Sequence, residues 1–409
     1  MTGSALSRRR FMARSLALGC SLAASPLVTP VTMANAPWDA RLVVIILRGA
    51  MDGLDVVRPV GAPEFAGMRP GLSPGGHDLD GFFELHPALS NLMPLWRAGE
   101  LGFAHAVSTP YRDKRSHFDG QDILEAGTGM DALGRVRDGW LNRMLQAMPG
   151  IEAETAYAVG REDMLILKGE AAVANWSPEA ALALSPQAHR LLELVTHDDP
   201  LFRDALIEAV ELSRTDLAMM TGGEDLEPGE MMNAMQENMR VTRGGASSES
   251  IARFAAERLR GDARIAAFSL GGWDTHAQQD RMLPRALAEL QQAVVSLKEG
   301  LGPTWQKTAV LAMTEFGRTA RLNGTEGTDH GTAGAMLMAG GALRGGRVVG
   351  DWPGLAEADL YARRDLLPTR DVRAHAGWVM RHLFGIDGAM IEGTIFPGLE
   401  MGGDPGLVL

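Results

Sequence analysis

The run Arg41-Leu42-Val43-Val44-Ile45-Ile46-Leu47 shows no polar alternation after its first residue. A strand with one wet face alternates apolar and polar side chains. A short unbroken run of β-branched residues fits a strand covered on both faces. Similar runs recur at Leu101–Val107, Ile265–Leu270, Ala309–Thr314 and Gly334–Ala339. Helical patterns lie between them, at Pro87 to Ala98, Glu179 to Leu194, Ser248 to Leu259 and Leu283 to Leu301. Buried strands alternating with helices predict an α/β fold with a mostly parallel sheet. Ligands in such folds bind beyond the carboxyl ends of the strands. The polar residues that follow each run are therefore the candidates for chemistry.

The stretch from about 150 to 250 differs. It is rich in Ala, Leu and Met with few strand signals, and it reads as a mainly helical insertion or cap. Met219, Met220, Met231, Met232, Met235 and Met239 cluster there. A soft-metal site is conceivable, but methionine is foremost an adaptable packing residue.

The N-terminus reads as an export signal. Ser7-Arg8-Arg9-Arg10-Phe11-Met12 forms a twin-arginine pattern, an apolar run follows, and Ala34-Asn35-Ala36 offers a cleavage site. Residues 1–36 are thus expected to be a leader that engages the twin-arginine export machinery. Residues 37–409 are then a periplasmic or secreted domain. Cleavage removes Cys20, the single cysteine, so the mature chain forms no disulfide and uses no thiol chemistry. It also removes four arginines and no acid, taking the net charge from −12 to −16. That balance argues against nonspecific nucleic-acid binding. No later segment holds the roughly 18 uninterrupted apolar residues of a membrane span.

Four polar clusters follow the strand-like runs. Asp52 and Asp55 lie in a glycine-flanked loop after the first, where a carboxylate can ligate a metal or cap a helix. Tyr111 to Asp122 follows the second. Ser116 beside His117 suggests an activated nucleophile, and Arg112, with Lys114 and Arg115, suits an anionic substrate. The bland alternative is a solvated loop with Ser116 as helix N-cap. Gly271-Gly272-Trp273-Asp274-Thr275-His276 follows the third. Asp274 and His276 are two apart, so an extended backbone points both the same way, as two metal ligands or an Asp–His pair. Thr314-Glu315-Phe316-Gly317-Arg318 and Thr328-Asp329-His330-Gly331 form the fourth. Glu315, Asp329 and His330 are ligand types, and Arg318 can hold an oxyanion.

Together these motifs resemble the DUF1501 family, exported proteins related to the alkaline phosphatase/sulfatase superfamily. The resemblance rests on Leu47-Arg48-Gly49-Ala50-Met51-Asp52-Gly53-Leu54, Arg115 to Gln121, Gly272 to His276, Thr314 to Thr319 and Asp329-His330-Gly331. Gly350 to Leu355 and Asp365 to Asp371 also fit. It implies an alkaline phosphatase-like α/β/α sandwich. It also implies divalent metal ions (zinc, manganese or calcium) beside a nucleophile that attacks phosphate or sulfate esters. By that likeness Asp52, Asp274, His276, Glu315, Asp329 and His330 are metal ligands. Ser116 and His117 are then catalytic, while Arg112 and Arg318 bind substrate. Two departures stand out. Asp274 and His276 are closer together than the superfamily pattern, and Glu315-Phe316 stands where that pattern has Asp-His. The missing histidine has one nearby substitute, His117.

The expected function is a periplasmic metal-dependent hydrolase acting on a small anionic ester or a sulfated or phosphorylated polymer. The alternative is a non-catalytic binding or interaction protein on a degenerate phosphatase-like fold.

Overall fold

The computed structural model describes residues 39–72, 74–148, 155–159, 164–176 and 247–409. All belong to one compact unit spanning Asn35–Glu179 and Val241–Leu409. The leader, the helical pattern at Glu179 to Leu194 and the methionine cluster lie outside the described residues.

The strands are β1 (Arg41–Leu47), β2 (Val57–Arg58), β3 (His77–Asp78), β4 (Glu84–Leu85), β5 (Leu101–Ser108), β6 (Ala156–Val159), β7 (Ala174–Trp176), β8 (Ile265–Leu270), β9 (Thr308–Thr314), β10 (Gly334–Ala339), β11 (Val348–Val349) and β12 (Arg370–Asp371). The central sheet runs β11-β5-β10-β9-β1-β8-β6-β7, with β12 also paired to β5. Strands β9, β1, β8, β6 and β7 pair in parallel, and β11 and β12 are parallel to β5. Only β10 runs against its neighbours. The sheet is therefore mixed and mostly parallel, and the fold is α/β. Strands β2, β4 and β3 form a separate small sheet.

The absence of alternation in β1 has its cause in the layers. Val43, Ile45 and Leu47 enter one apolar cluster, while Leu42, Val44 and Ile46 enter the opposite one. Strands β8 and β9 divide their side chains the same way. The helices are α1 (His117–Ala126), α2 (Trp140–Gln146), α3 (Ser248–Arg260), α4 (Gln279–Leu301) and α5 (Val372–Phe384). Helices α3 and α4 cover the first face with Phe254, Leu259, Leu287 and Leu290. Helices α2 and α5 cover the other with Trp140, Leu141, Val379 and Met380. The result is an α/β/α sandwich.

The five strands expected from sequence all form. So do the helices expected after residues 248 and 283, the latter four residues earlier, at Gln279. Strands β6 and β7 were not expected. They occupy the start of the stretch read as helical, with a short 3-10 turn at Leu165–Leu167 between them, and residues 177–246 lie outside the described residues. Among the described residues no helix is long and apolar enough to cross a membrane.

Candidate metal centre

Strand β1 sits between β8 and β9. The loops that follow these three strands therefore leave the sheet side by side. Gly49 turns the chain at φ +118° after β1, and its missing side chain makes room for the third loop. A Cβ there would stand 2.6 Å from the Asp274 amide nitrogen. Gly49→Ala is expected to push the Asp274 loop outward. We expect a destabilisation of about 2–4 kcal/mol from the clash and positive φ together, read by urea unfolding. Unchanged stability would show that the loop yields freely.

The third loop is anchored by Trp273, which is buried and donates its indole N–H to the Leu270 carbonyl at 3.0 Å. That anchor presents Asp274. Its Oδ1 lies 3.0 Å from His276 Nε2, 3.2 Å from His330 Nε2 and 3.4 Å from His117 Nε2. Four ligand-type side chains from three separate loops thus meet at one point. Ligand atoms around a tetrahedral ion at bond lengths of about 2.0–2.1 Å lie roughly 3.3–3.4 Å apart, so this spacing suits one ion.

Each imidazole is turned so that Nε2 faces inward. His117 Nδ1 sits 2.8 Å from Glu315 Oε1, His330 Nδ1 2.9 Å from the Arg115 carbonyl, and His276 Nδ1 3.4 Å from Asp329 Oδ1. All three partners can only accept, so each Nδ1 donates to its partner, while each Nε2 faces the Asp274 carboxylate and offers a lone pair to a cation there once it carries no proton. Metal-binding histidines are held in this way by an acceptor on the far nitrogen. The consequence is visible in two places. His276 Nε2 and His330 Nε2 stand 2.9 Å apart, an unfavourable meeting of lone pairs without a shared cation or proton. His117 Nε2 is buried and has no hydrogen-bond partner. A buried polar atom left unpaired costs roughly 1–3 kcal/mol, and a cation at this point would satisfy it. His117, Asp274 and His330 form the tightest ligand group. The donor set, imidazoles and one carboxylate, fits zinc or a similar borderline divalent ion.

The local electrostatics agree with this arrangement. The bond to Glu315 raises the His117 pKa above its ordinary value, against the pull of burial. Burial, then the charge of His117, lowers that of His330. Burial opposes ionisation of Asp274, yet the Arg318 guanidinium, 2.8 Å from Oδ1, and the neighbouring imidazoles hold its carboxyl below the usual range.

The remaining sequence candidates make the following contacts. Asp52 is not in the cluster. It caps the helical turn Gly53–Val56, and both its oxygens are bound by Arg69 at 2.5 and 3.0 Å, with Gln279 Nε2 at 2.7 Å. Its lone pairs are spent on fixed donors. Glu315 lies on the far side of His117 from the cluster. Its Oε1 also accepts from the Gly49 amide and from Gln121 Nε2, so it braces the His117 imidazole from outside the cluster. Ser116 is the N-cap of α1, with Oγ accepting from the Asp119 amide at 3.3 Å. The His117 nitrogens face Glu315 and Asp274, and among the described residues neither hydrogen-bonds Ser116. Arg112 folds back on its own loop, donating to Ser108 Oγ and to the Thr109 and Tyr111 carbonyls. Arg318 is buried and spends three of its five N–H groups on Asp274 and Thr328.

Two residues escaped the sequence reading. Gln279 opens α4, and its buried amide is fully used. Oε1 accepts from Thr275 and Thr328, and Nε2 donates to Asp52 and Asp55. Arg69 directly follows the one-turn helix Phe65–Met68 as its C-cap, too short an element for a pattern to mark it.

Fold and site together define an α/β/α protein with a histidine-rich candidate metal centre at the ends of its central strands. The chain belongs to the DUF1501 family, described as proteins of unknown function, whose model matches residues 98–395. No curated protein matches it. Among solved structures it is similar to a protein in the alkaline phosphatase superfamily from Vibrio parahaemolyticus. That pair shares 12% identity at a TM-score of 0.39, over 88% of this chain and 70% of that one. It is also similar to the lipoteichoic acid synthase LtaP from Listeria monocytogenes, at 10% identity and a TM-score of 0.39, over 88% and 76%. A third is a TAB5 alkaline phosphatase mutant with Mg bound in its M3 site, at 11% identity and a TM-score of 0.32, over 74% and 90%.

Proposed function

We propose that this protein is a metal-dependent hydrolase of a phosphate or sulfate ester that works in the periplasm after twin-arginine export of the 37–409 domain. The observation that carries the reading is the buried, unpartnered His117 Nε2 facing Asp274, His276 and His330. In this reading His117, Asp274 and His330 hold one divalent ion, with His276 beside them. The ion supplies Lewis acidity toward a phosphoryl or sulfuryl oxygen. The chain itself does the rest. Glu315, Asp329 and the Arg115 carbonyl fix the imidazoles, and Arg318 keeps Asp274 ionised. The exposed cations Lys114 and Arg115, which have no partner among the described residues, draw in the anionic substrate. Water is the attacking group in this reading, and Ser116 caps α1 by accepting from the Asp119 amide.

The competing reading, a non-catalytic binding protein, draws support from the engagement of Asp52 and Glu315 with protein donors. One experiment separates the cases. Metal content is measured on the purified full domain, with His117→Ala and Asp274→Ala beside it, and the proteins are then screened on phosphate and sulfate esters. One equivalent, lost in both variants, is expected. Turnover should be abolished by Asp274→Ala and only mildly reduced by Ser116→Ala. No metal after addition of zinc, manganese and calcium would sink the proposal. Metal without turnover would leave the binding protein.

A further inference from the structure

We infer that the loop 113–118 selects substrates whose anionic group is carried on an aromatic or similarly flat apolar moiety; this deepens the hydrolase reading and rests on it. Phe118 is 85% exposed. It directly follows the candidate ligand His117 in the first turn of α1. Phe65, Phe83, Phe103, Phe254, Phe268, Phe316 and Phe396 are all buried. Phe118 thus leaves a large apolar ring in solvent one residue from the candidate ligand and three from Arg115, whose carbonyl meets His330.

The loop that presents this ring is fastened. Tyr361 donates its hydroxyl to Asp113 Oδ1 at 2.8 Å, and the Ser116 amide donates to the Tyr111 hydroxyl at 2.9 Å. His330 Nδ1 reaches the Arg115 carbonyl at 2.9 Å, which ties the loop to the cluster itself. Asp113 holds φ +59°, a left-handed conformation that aspartate tolerates better than most non-glycine residues. Lys114, Arg115 and Phe118 are all exposed on this loop and helix start. Two cations and an unburied ring thus stand on a fixed rim. The cations complement an anion, and the ring complements a flat apolar group attached to it. One stacked aromatic contact supplies selectivity of up to about tenfold.

The test is calorimetric binding of phenylphosphonate and methylphosphonate, neither of which is hydrolysed, to the zinc-loaded domain. Phenylphosphonate is expected to bind about tenfold more tightly, and Phe118→Ala to reduce that ratio to below about threefold. Arg115→Gln should weaken both ligands by a similar factor. Equal affinities in the unaltered protein, or a ratio that survives Phe118→Ala, would overturn the inference. Zinc bound with neither phosphonate taken up would overturn the hydrolase reading and this inference with it. Self-association abolished by Phe118→Ala would assign the ring to a subunit contact and overturn it as well.

Discussion

Between pH 6.5 and pH 4 the fold is expected to lose several kcal/mol of stability through three buried histidines remote from the metal cluster. Burial lowers His86, His105 and His375 each from 6.5 to about 4. The sign follows from proton counting. In that window the unfolded chain binds protons that the folded chain refuses, so stability rises with pH. It is complete above 6.5 and lost as pH falls to 4. Each group contributes up to about 3 kcal/mol, since one unit is worth about 1.36 kcal/mol. The bonding explains the refusal. His105 Nδ1 accepts from the Ala106 amide while Nε2 faces the Val57 carbonyl, and the ring stacks on Phe83. His86 Nδ1 accepts from the Ala88 amide. Protonating either nitrogen acceptor turns a hydrogen bond into a clash of two donors. Glu125, whose pKa burial raises, opposes the trend in part. His117 acts above the window, because its pKa is raised. The check is urea unfolding at several pH values in a chelator, with His105→Phe beside it. A midpoint that stays flat from pH 6.5 to 4.5 would refute the account.

His105 also shows what the sequence can and cannot convey. Its place within a strand was readable, because Leu101–Val107 is a run covered on both faces. That it is a neutral core histidine depends on Phe83 and Trp352, which approach from distant segments. The same division holds across the site. Asp274, His276 and His330 stood out because each follows a strand-like run beside glycines. Their convergence needed the strand order, which places β8 and β9 on either side of β1, and a sequence does not state pairing. His117 and Glu315 were both visible as functional types, but which of them reaches the cluster depends on depth. Glu315 lies buried at the end of β9, beneath an imidazole that reaches the cluster. Strands β6, β7, β11 and β12 are two to four residues long, too short for periodicity to register. Arg69 gave no signal, because it ends a helix of one turn, Phe65–Met68, and only the final geometry brings it to Asp52.

That partner motivates the other large expected effect. Arg69→Met should destabilise the protein by about 3–5 kcal/mol, the cost of stranding a buried carboxylate. The Arg69 side chain is 0% exposed and that of Asp52 1%. Its other N–H groups are taken by the Ala320 and Thr319 carbonyls at 2.7 and 2.8 Å. The damage should not stay local. Asp52 accepts from Gln279, which receives Thr328 Oγ1, and Thr328 in turn accepts from Arg318, whose Nη1 holds Asp274. A chain of hydrogen bonds therefore links the pair to the candidate ligand, and loosening such supports typically costs 10–100-fold in metal affinity. Two measurements separate the links. In denaturant unfolding, Arg69→Met/Asp52→Leu should regain much of the stability lost in Arg69→Met, because no charge is left unpaired. In zinc titration, Gln279→Leu should weaken affinity at least tenfold, since it cuts the chain between Asp52 and Thr328. A loss below about 1 kcal/mol in Arg69→Met would mean that Asp52 is reached by water or protonated. Full zinc affinity in Gln279→Leu would mean that Arg318 and Asp274 are held by their own loops. The ion pair would then serve the fold alone.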